Sequence, residues 1–213
     1  MNLKEIPKKI EKNNEAEDKY ASLEKIEAEC WTQIANGCLK GKDPFHCFVL
    51  GTNSDFGVDL RTVVLRKVEG RKLFFHTDIR SPKVAQLKQS EFTSILFYDP
   101  ARRIQLRIKA QVAFHQLDEI SESLWQETRL SARKYYLSES PPGTELDSQF
   151  DTLPEHLHGF DPERSESEKG KENFLVVSLQ ALSIDWLFLH SQGHKRAIIQ
   201  YLDSGYKANW INP

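Results

Sequence analysis

Residues 61–87, RTVVLRKVEGRKLFFHTDIRSPKVAQL, decide which fold this chain can adopt. Two runs rich in β-branched and aromatic residues, at 58–68 and 72–76, flank a Glu-Gly turn pair and predict two consecutive strands. A short helix is predicted next, because Ser81 suits an N-cap and Pro82 suits the first helical position. The stretch therefore predicts strand, turn, strand and helix in that order.

The same kinds of pattern extend outward on both sides of this stretch. Further strands are predicted at 46–52, 93–98, 104–114, 174–189, 197–201 and 207–211. Apolar residues at helical spacing predict helices over about 20–39 and 119–137. Many short strands with few helices favour a mainly β fold, an antiparallel barrel of about six strands that carries peripheral helices.

Length and composition indicate one domain. At 213 residues with 39% hydrophobic content, the chain can bury a substantial core but would be cramped as two domains. Residues 1–19 are rich in Lys, Glu and Asn and are predicted to be a flexible extension. Residues 20–213 are predicted to form the single domain, in which a stretch rich in Pro, Gly and Ser at about 138–172 forms a long loop.

Charge and cysteine content narrow the class of protein. The 29 basic and 31 acidic residues nearly balance, so no global field recruits nucleic acid or an anionic membrane surface. No apolar run is long enough to cross a bilayer, and the N-terminal stretch lacks the apolar core of a secretory signal. The three cysteines match no metal-ligand spacing, and the pair His156 and His158 lacks companion ligands, so no metal is expected. A cytoplasmic protein is the expectation.

One group of residues could hold a phosphate. Arg61 and Lys83, together with Thr77, Arg80 and Ser81, offer cations, hydroxyls and the free amides of a helix N-terminus. The alternative is that these are solvated residues on turns, and composition alone leaves both interpretations open.

Three segments together resemble the pyridoxamine 5'-phosphate oxidase family. They are residues 61–87, FYDPARRIQLRIKAQV at 97–112 and IDWLFLHSQGHKRAIIQY at 184–201. The order and spacing are similar to the family's Arg-x-Val-x-Leu-Lys, Tyr-Thr-x-x-Arg-Ser-x-Lys, Gln-bearing strand, and late Trp and Arg. The resemblance covers the chain from about residue 45 to its end. It implies an antiparallel FMN-binding split β-barrel that works as a homodimer, with the flavin at the subunit interface.

The resemblance also implies particular contacts. The residues implied for FMN are Arg61, Thr62, Val63, Val64, His76, Thr77, Ser81, Lys83, Gln105, Trp186 and Arg196. For a substrate, the implied residues are Arg66, Arg129, Arg133 and His194, with a small and phosphorylated metabolite as one candidate.

Departures from the family pattern bear on activity rather than on fold. Pro82 replaces one basic residue of the phosphate motif, and Arg66 stands in place of a substrate-binding lysine. The late Arg-x-His appears as Gln192-Gly193-His194, which loses a cation. No residue is predicted to be a general base.

The expected function is an FMN-dependent oxidase or other oxidoreductase, and the alternative is an FMN-binding module without turnover, such as a sensor or a storage protein. A split barrel with a deazaflavin or haem is a weaker alternative.

Overall fold

The computed structural model describes residues 20–147 and 152–213, so the predicted extension at 1–19 lies outside the described residues. Nine strands form one antiparallel sheet, with helices packed around it. The strands are β1 Cys47–Ser54, β2 Gly57–Val64, β3 Lys67–Glu69, β4 Lys72–Asp78, β5 Phe92–Asp99, β6 Ile104–His115, β7 Phe174–Phe188, β8 Lys195–Tyr201 and β9 Tyr206–Ile211. The prediction of a mainly β, antiparallel fold is confirmed, with nine strands rather than about six.

The sheet branches at its longest strand. Its main path runs β2-β1-β5-β6-β7-β4-β3, and β8 and β9 extend from β7 off this path. Residues 174–180 of β7 pair with β4, whereas residues 183–188 pair with β8. Strand β6 pairs with both halves of β7. The two halves of β7 thus carry different parts of one sheet, which remains unclosed.

A bulge in β7 keeps its two halves facing the same core. The register passes from Lys109 opposite Ser183 to Ala110 opposite Ala181, so Leu182 is the extra residue. Without it, simple alternation would turn the second half of the strand over. With it, Ala181 before the bulge and Ile184 after it both lie in the main core.

The predicted strand at 58–68 is divided into two. Strand β2 ends at Val64, and then the amide of Leu65 donates to the carbonyl of His46, at 2.9 Å. The amide of Arg66 donates to the carbonyl of Phe74, at 2.8 Å. The backbone therefore stops pairing with β1 and begins to pair with β4 at this point.

An N-terminal helix closes one side of the core. Helix α1, Leu23–Leu39, is capped by the Ser22 side chain and buries Ile26, Cys30 and Ile34. Near its end Gly37 lies against Phe45, which belongs to a short 3-10 helix, Pro44–His46. Aromatic rings fill the space beneath, since the ring of Phe97 lies 5.0 Å from that of Phe45.

The other helices are short and lie outside the sheet. They are α2 Pro82–Lys88, α3 Glu119–Glu127, α4 Leu130–Arg133 and α5 Arg164–Ser167, with 3-10 helices at Lys134–Leu137, Glu155–Leu157 and Glu168–Asn173. The predicted helix at 119–137 is broken, because Thr128 and Arg129 have extended backbone conformations. The predicted loop at 138–172, whose residues 148–151 lie outside the described part, contains helical turns.

The described part of the chain contains no helix that is both long and apolar enough to cross a bilayer. All three cysteines are described, and each is a free thiol.

Candidate functional site

Three of the predicted phosphate contacts meet where β4 ends and α2 begins. The Lys83 ammonium donates to the Thr77 hydroxyl at 3.1 Å and to the Ser81 hydroxyl at 2.5 Å. Thr77 and Ser81 are buried, and Lys83 lies in the first turn of α2. Both hydroxyls therefore hold the ammonium in one place.

Arg61 of β2 joins this group through Gln86 of α2. Its Nη2 donates to Gln86 Oε1 at 3.0 Å, and its Nη1 donates to the Thr52 hydroxyl. Gln86 lies on the same helix as Lys83, three residues further along. The amide of Gln86 also donates to Asp59 Oδ2 at 2.8 Å, which lies 3.4 Å from Arg61 Nη2. We call Thr77, Ser81, Lys83, Arg61, Gln86 and Thr52 the phosphate cluster.

The electrostatics of the phosphate cluster favour an anion. Partial burial, and then the nearby charge of Arg61, hold the pKa of Lys83 below its ordinary value of 10.5. In the described part of the chain Lys83 forms no ion pair, and Arg61 has only the half-exposed Asp59. Two cations and two hydroxyls at one strand end are the donor set that a phosphate monoester requires. The residues present therefore fit the phosphate of FMN.

Arg80 does not replace the cation that is absent at Pro82. Its guanidinium donates to both carboxylate oxygens of Asp78, the shortest contact being 2.7 Å, and to the carbonyl of Ser138 at 3.1 Å. The hydrogen bond with Asp78 raises the pKa of Arg80. Arg80 thus ties the end of β4 to the segment after Leu137.

His76 and Thr77 are neighbours whose side chains point to opposite faces of β4. The His76 ring lies 4.8 Å from that of Phe174, edge to face, and its Nε2 is buried without a hydrogen-bond partner. Burial, and then the charge of Arg66, lower the pKa of His76 to about 3. His76 is therefore neutral at ordinary pH, and the exposed Arg66 is a nearby cation.

Gln105 and Arg196 lie together elsewhere on the sheet. Leu187 of β7 pairs with Gln105 on one side and with Arg196 on the other. The Arg196 guanidinium donates to Asp185 at 3.0 and 2.8 Å, and Arg107 donates to the same carboxylate at 2.5 Å. These charges border an open cavity of about 900 Å³ whose apolar lining includes residues from β1, β2, β5 and β8.

Two side chains for which ligand contacts were predicted, Trp186 and Arg133, are buried within the protein. Trp186 is only 1% exposed and packs in the main core, its ring 5.1 Å from that of Tyr20. Arg133 is also 1% exposed, and each of its three nitrogens donates within the protein, to Thr128, Trp125, Ser167 and Glu168. In this arrangement neither side chain is free to contact a flavin or a substrate.

The remaining predicted residues differ in exposure. Thr62 is exposed, Val63 packs against the main core and Val64 is partly buried. Arg129 and His194 are both exposed, in the break before α4 and in the turn before β8.

Two members of the phosphate cluster, Thr52 and Gln86, were not predicted from the sequence. The helical spacing from Lys83 signals Gln86, whereas only the β1–β2 register brings Thr52 to Arg61.

The side chains of His156 and His158, where no metal is expected, contact different partners. His156 Nε2 lies 2.7 Å from Glu166 Oε1, and His158 Nε2 lies 3.1 Å from the carbonyl of Leu153. Within residues 20–147 and 152–213, no group of three or more His, Cys, Asp or Glu side chains could hold a metal ion.

Comparison with known proteins supports the fold over most of the chain and a match to an FMN-binding domain over part of it. The family model for the pyridoxamine 5'-phosphate oxidase, FMN-binding domain, matches residues 28–116. A pyridoxamine 5'-phosphate oxidase-related, FMN binding protein from Nostoc punctiforme PCC 73102 is 22% identical with a TM-score of 0.68, over 87% of this chain and 96% of that one. No curated protein matches the chain.

Two further solved structures share the fold at lower identity. PhzG from Burkholderia lata 383, in complex with tetrahydrophenazine-1-carboxylic acid, is 17% identical with a TM-score of 0.65, over 87% of this chain and 90% of that one. ChuZ from Campylobacter jejuni is 12% identical with a TM-score of 0.55, over 92% of this chain and 68% of that one. At such identities the likeness establishes the split-barrel fold alone. The resemblance found in the sequence is confirmed over residues 28–116, which match, in divergent form, the FMN-binding domain of the pyridoxamine 5'-phosphate oxidase family.

Proposed function

We propose that this protein is an FMN-dependent oxidoreductase of the pyridoxamine 5'-phosphate oxidase type, acting on a small metabolite. The observation that carries the proposal is the phosphate cluster, in which Lys83 and Arg61 converge with two hydroxyls and Lys83 has no ion pair among the described residues. Two partly buried cations in that position are stabilised when an anion joins them. FMN supplies such an anion as its phosphate.

The proposed roles of the residues follow from their positions. Lys83 and Arg61 bind the phosphate, and Thr77 and Ser81 orient the Lys83 ammonium. When bound, FMN would accept a hydride from a reduced substrate and pass the electrons to oxygen or another acceptor. His76, on the opposite face of β4 from Thr77, remains neutral, and its Nε2 has no hydrogen-bond partner among the described residues.

An anionic substrate is supported by the cations outside the phosphate cluster. Arg66 is exposed near His76, and Arg129 and His194 are exposed at the two other predicted positions. Arg133 is left out of the proposed substrate contacts, because it is 1% exposed and its guanidinium donates four hydrogen bonds within the protein. A phosphorylated metabolite therefore has Arg66 as its main proposed contact.

A homodimer is proposed because a broad apolar face of the sheet is exposed. Val58 is 67% exposed, Leu60 is 69% exposed and Leu202 is 58% exposed, and all three line the 900 Å³ cavity. Contiguous apolar surface of this kind marks an interface. Arg196 borders the same cavity, so a second copy seated there would present its Arg196 and Gln105 toward the flavin of the first. The reduced cysteines support the cytoplasm as the proposed location.

The test of FMN binding compares FMN with riboflavin, which lacks the phosphate. The wild-type protein is expected to bind FMN much more tightly than riboflavin. Arg61→Ala and Lys83→Ala should each weaken FMN binding about ten- to a hundredfold, because a charged hydrogen bond contributes about 1.5 to 3 kcal/mol. Their riboflavin affinity should be unchanged. Lys88→Ala, in the last turn of the same helix, is the matched control and should bind FMN normally.

Turnover separates the oxidoreductase from the alternative of an FMN-binding module. The FMN-loaded protein is mixed anaerobically with pyridoxamine phosphate, pyridoxine phosphate or reduced nicotinamide, and its visible absorbance is followed. Bleaching that reverses in air supports an oxidase and identifies its reductant. Tight FMN binding with no bleaching by any of them would favour the module, and equal affinity for FMN and riboflavin would overturn the proposed cofactor site.

A further inference from the structure

Ser178, His115 and Asp118 form a connected group on the outer face of the sheet, apart from the phosphate cluster. His115 Nε2 lies 2.9 Å from Ser178 Oγ, and His115 Nδ1 lies 3.0 Å from Asp118 Oδ2. A carboxylate at Nδ1 favours the tautomer that carries its proton there, which leaves Nε2 able to accept the proton of the serine. This is the order of contacts that activates a serine as a nucleophile.

Regular elements hold each of the three side chains. Ser178 lies in β7, between Phe74 of β4 and Ala113 of β6. His115 is the last residue of β6, and Asp118 is the N-cap of α3. These positions fix the group without a bound ligand.

The helix cap leaves one oxygen of Asp118 for the histidine. Oδ1 accepts from the backbone amide of Ser121 at 2.8 Å, while Oδ2 faces His115. Desolvation opposes ionisation, but the hydrogen bonds from Ser121 and from His115 outweigh it and lower the pKa of Asp118. The capping contact therefore both orients the carboxylate and keeps it charged.

A cavity gives access to the serine. It has a volume of about 690 Å³ and is open to solvent, and both His115 and Ser178 line it. Ser178 is 5% exposed and so lies at its floor. The small residues Ala113 and Gly70 leave room beside it, while Phe74 provides an apolar wall. A small acyl group fits such a space.

Side chains supply the donors that an acyl-transfer site needs. Gln180 is two residues along β7 from Ser178, on the same face, and pairs with Lys72 and Gln111 on its two sides. All three line the cavity. The neighbouring backbone amides take part in the strand pairing, so an oxyanion there would depend on these side chains, of which Gln180 Nε2 also donates to the carbonyl of Arg71 at 3.4 Å.

We propose that Ser178, His115 and Asp118 form a second, flavin-independent site that reacts with short-chain acyl esters. The Ser178 oxygen attacks the ester carbonyl carbon, and its proton passes to His115 Nε2. The bond to the alcohol breaks, and the alcohol leaves with that proton. Water then attacks the acyl-serine and gives a proton to His115; the bond between the acyl carbon and the Ser178 oxygen breaks, His115 returns the proton to that oxygen, and the carboxylic acid leaves. No electrons are transferred to or from the flavin.

The first test is covalent labelling with a fluorophosphonate, followed by peptide mass spectrometry. The Ser178 oxygen should displace fluoride from phosphorus, and the label should map to Ser178. Ser178→Ala should abolish it, while Ser183→Ala on the same strand should not. Lys83→Ala, which disturbs only the phosphate cluster, should label at the wild-type rate. A label that maps elsewhere, or no label at all, would overturn the proposal.

Asp118→Asn is the decisive variant, because asparagine still caps a helix. Its amide would donate toward His115 and impose the wrong tautomer, a change that costs a working triad about 10⁴ in rate. Labelling and p-nitrophenyl acetate hydrolysis should therefore fall at least about tenfold while the melting temperature is retained. If His115 serves only to satisfy the buried Ser178 hydroxyl, labelling will not change, and that result would contradict the proposed site.

Discussion

At the scale of single residues, the phosphate cluster is built around a lysine whose charge is costly in the free protein. The Lys83 ammonium is partly buried and lies near Arg61, and both effects favour its neutral form. Hydroxyls of Thr77 and Ser81 hold it by hydrogen bonds without neutralising it. A phosphate that joins this group removes the unfavourable interaction, and under the proposed function the cluster is therefore expected to select a phosphorylated flavin.

This arrangement predicts that FMN affinity falls in alkaline solution. The pKa of Lys83 in the free protein is below 10.5, and bound phosphate raises it by favouring the ammonium. FMN affinity is therefore full below the free-protein pKa and is lost as the pH rises through it. Lys83→Arg keeps its charge over the same range. Calorimetric titration from about pH 7 to about pH 10 should show the loss in wild type and not in Lys83→Arg. A parallel decline in both proteins would contradict it.

His76 predicts a separate sensitivity to acid. Its pKa is lowered from 6.5 to about 3, so the folded protein must give up stability as the pH falls from about 6.5 toward 3. The free energy of unfolding should drop by at most about 2 kcal/mol between pH 7 and pH 5 through this residue. His76→Phe keeps an aromatic ring against Phe174 and should remove most of that drop.

Urea unfolding at pH 7 and at pH 5 measures the effect of His76. The reference is the wild-type protein, whose loss of stability between the two pH values should be larger than that of His76→Phe. Equal losses in His76→Phe and wild type would show that His76 is not held neutral by its surroundings.

At the scale of elements, helix α1 packs closely against the 3-10 helix Pro44–His46. A Cβ on Gly37 would lie 2.5 Å from the carbonyl carbon of Phe45 and 2.6 Å from its oxygen. The carbonyl oxygen of Gly37 also lies 3.0 Å from His46 Nδ1. Backbone atoms cannot rotate away as a side chain can, so any side chain at position 37 must move the helix.

Gly37→Ala is therefore expected to destabilise the protein by about 1 to 3 kcal/mol, the usual cost of overpacking. Gly41→Ala is the matched control, because nothing lies within 4 Å of a Cβ there. Its effect should be within about 0.5 kcal/mol. Urea denaturation of the two variants measures the difference, and similar stabilities would mean that α1 does not need this contact.

The strands can be predicted from local sequence, but the face on which each side chain lies cannot be predicted in every strand. Alternation predicts β6, in which Ile104, Leu106 and Ile108 are buried and the residues between them are not. In β7 the bulge at Leu182 changes the alternation, and it arises from pairing with β6 rather than from local pattern. This is why Trp186, predicted to contact the flavin, lies in the core.

In the candidate site, likewise, some contacts can be predicted from local sequence and others cannot. Thr77, Ser81 and Lys83 lie within seven residues of one another, so a local motif is enough to predict that they meet. Arg133 lies in the stretch predicted to be one helix over about 119–137, where the resemblance implies a substrate contact for it. The extended conformation at Thr128 breaks that helix, and tertiary contacts with Trp125 and Glu168 then bury the guanidinium.

At the scale of the whole molecule, the sheet has one filled side and a second side that is divided into regions. The main core occupies the inner side. On the outer side, α3 covers Phe74 and Val176, whereas Val58, Leu60 and Leu202 remain exposed around the 900 Å³ cavity. Exposed apolar area of that kind is stabilised by association, and Arg196 on its border links association to the proposed flavin site.

Leu60→Arg should therefore separate the proposed dimer and weaken FMN binding together. Leu60 is 69% exposed, so the arginine is tolerated in a single copy but places an unpaired charge in an interface. Sedimentation equilibrium should show a dimer for wild type and a monomer for Leu60→Arg. Phe160→Arg is the control, because Phe160 is 70% exposed but does not line the cavity. A wild-type monomer that binds FMN with full affinity would place the whole flavin site within one copy of the chain.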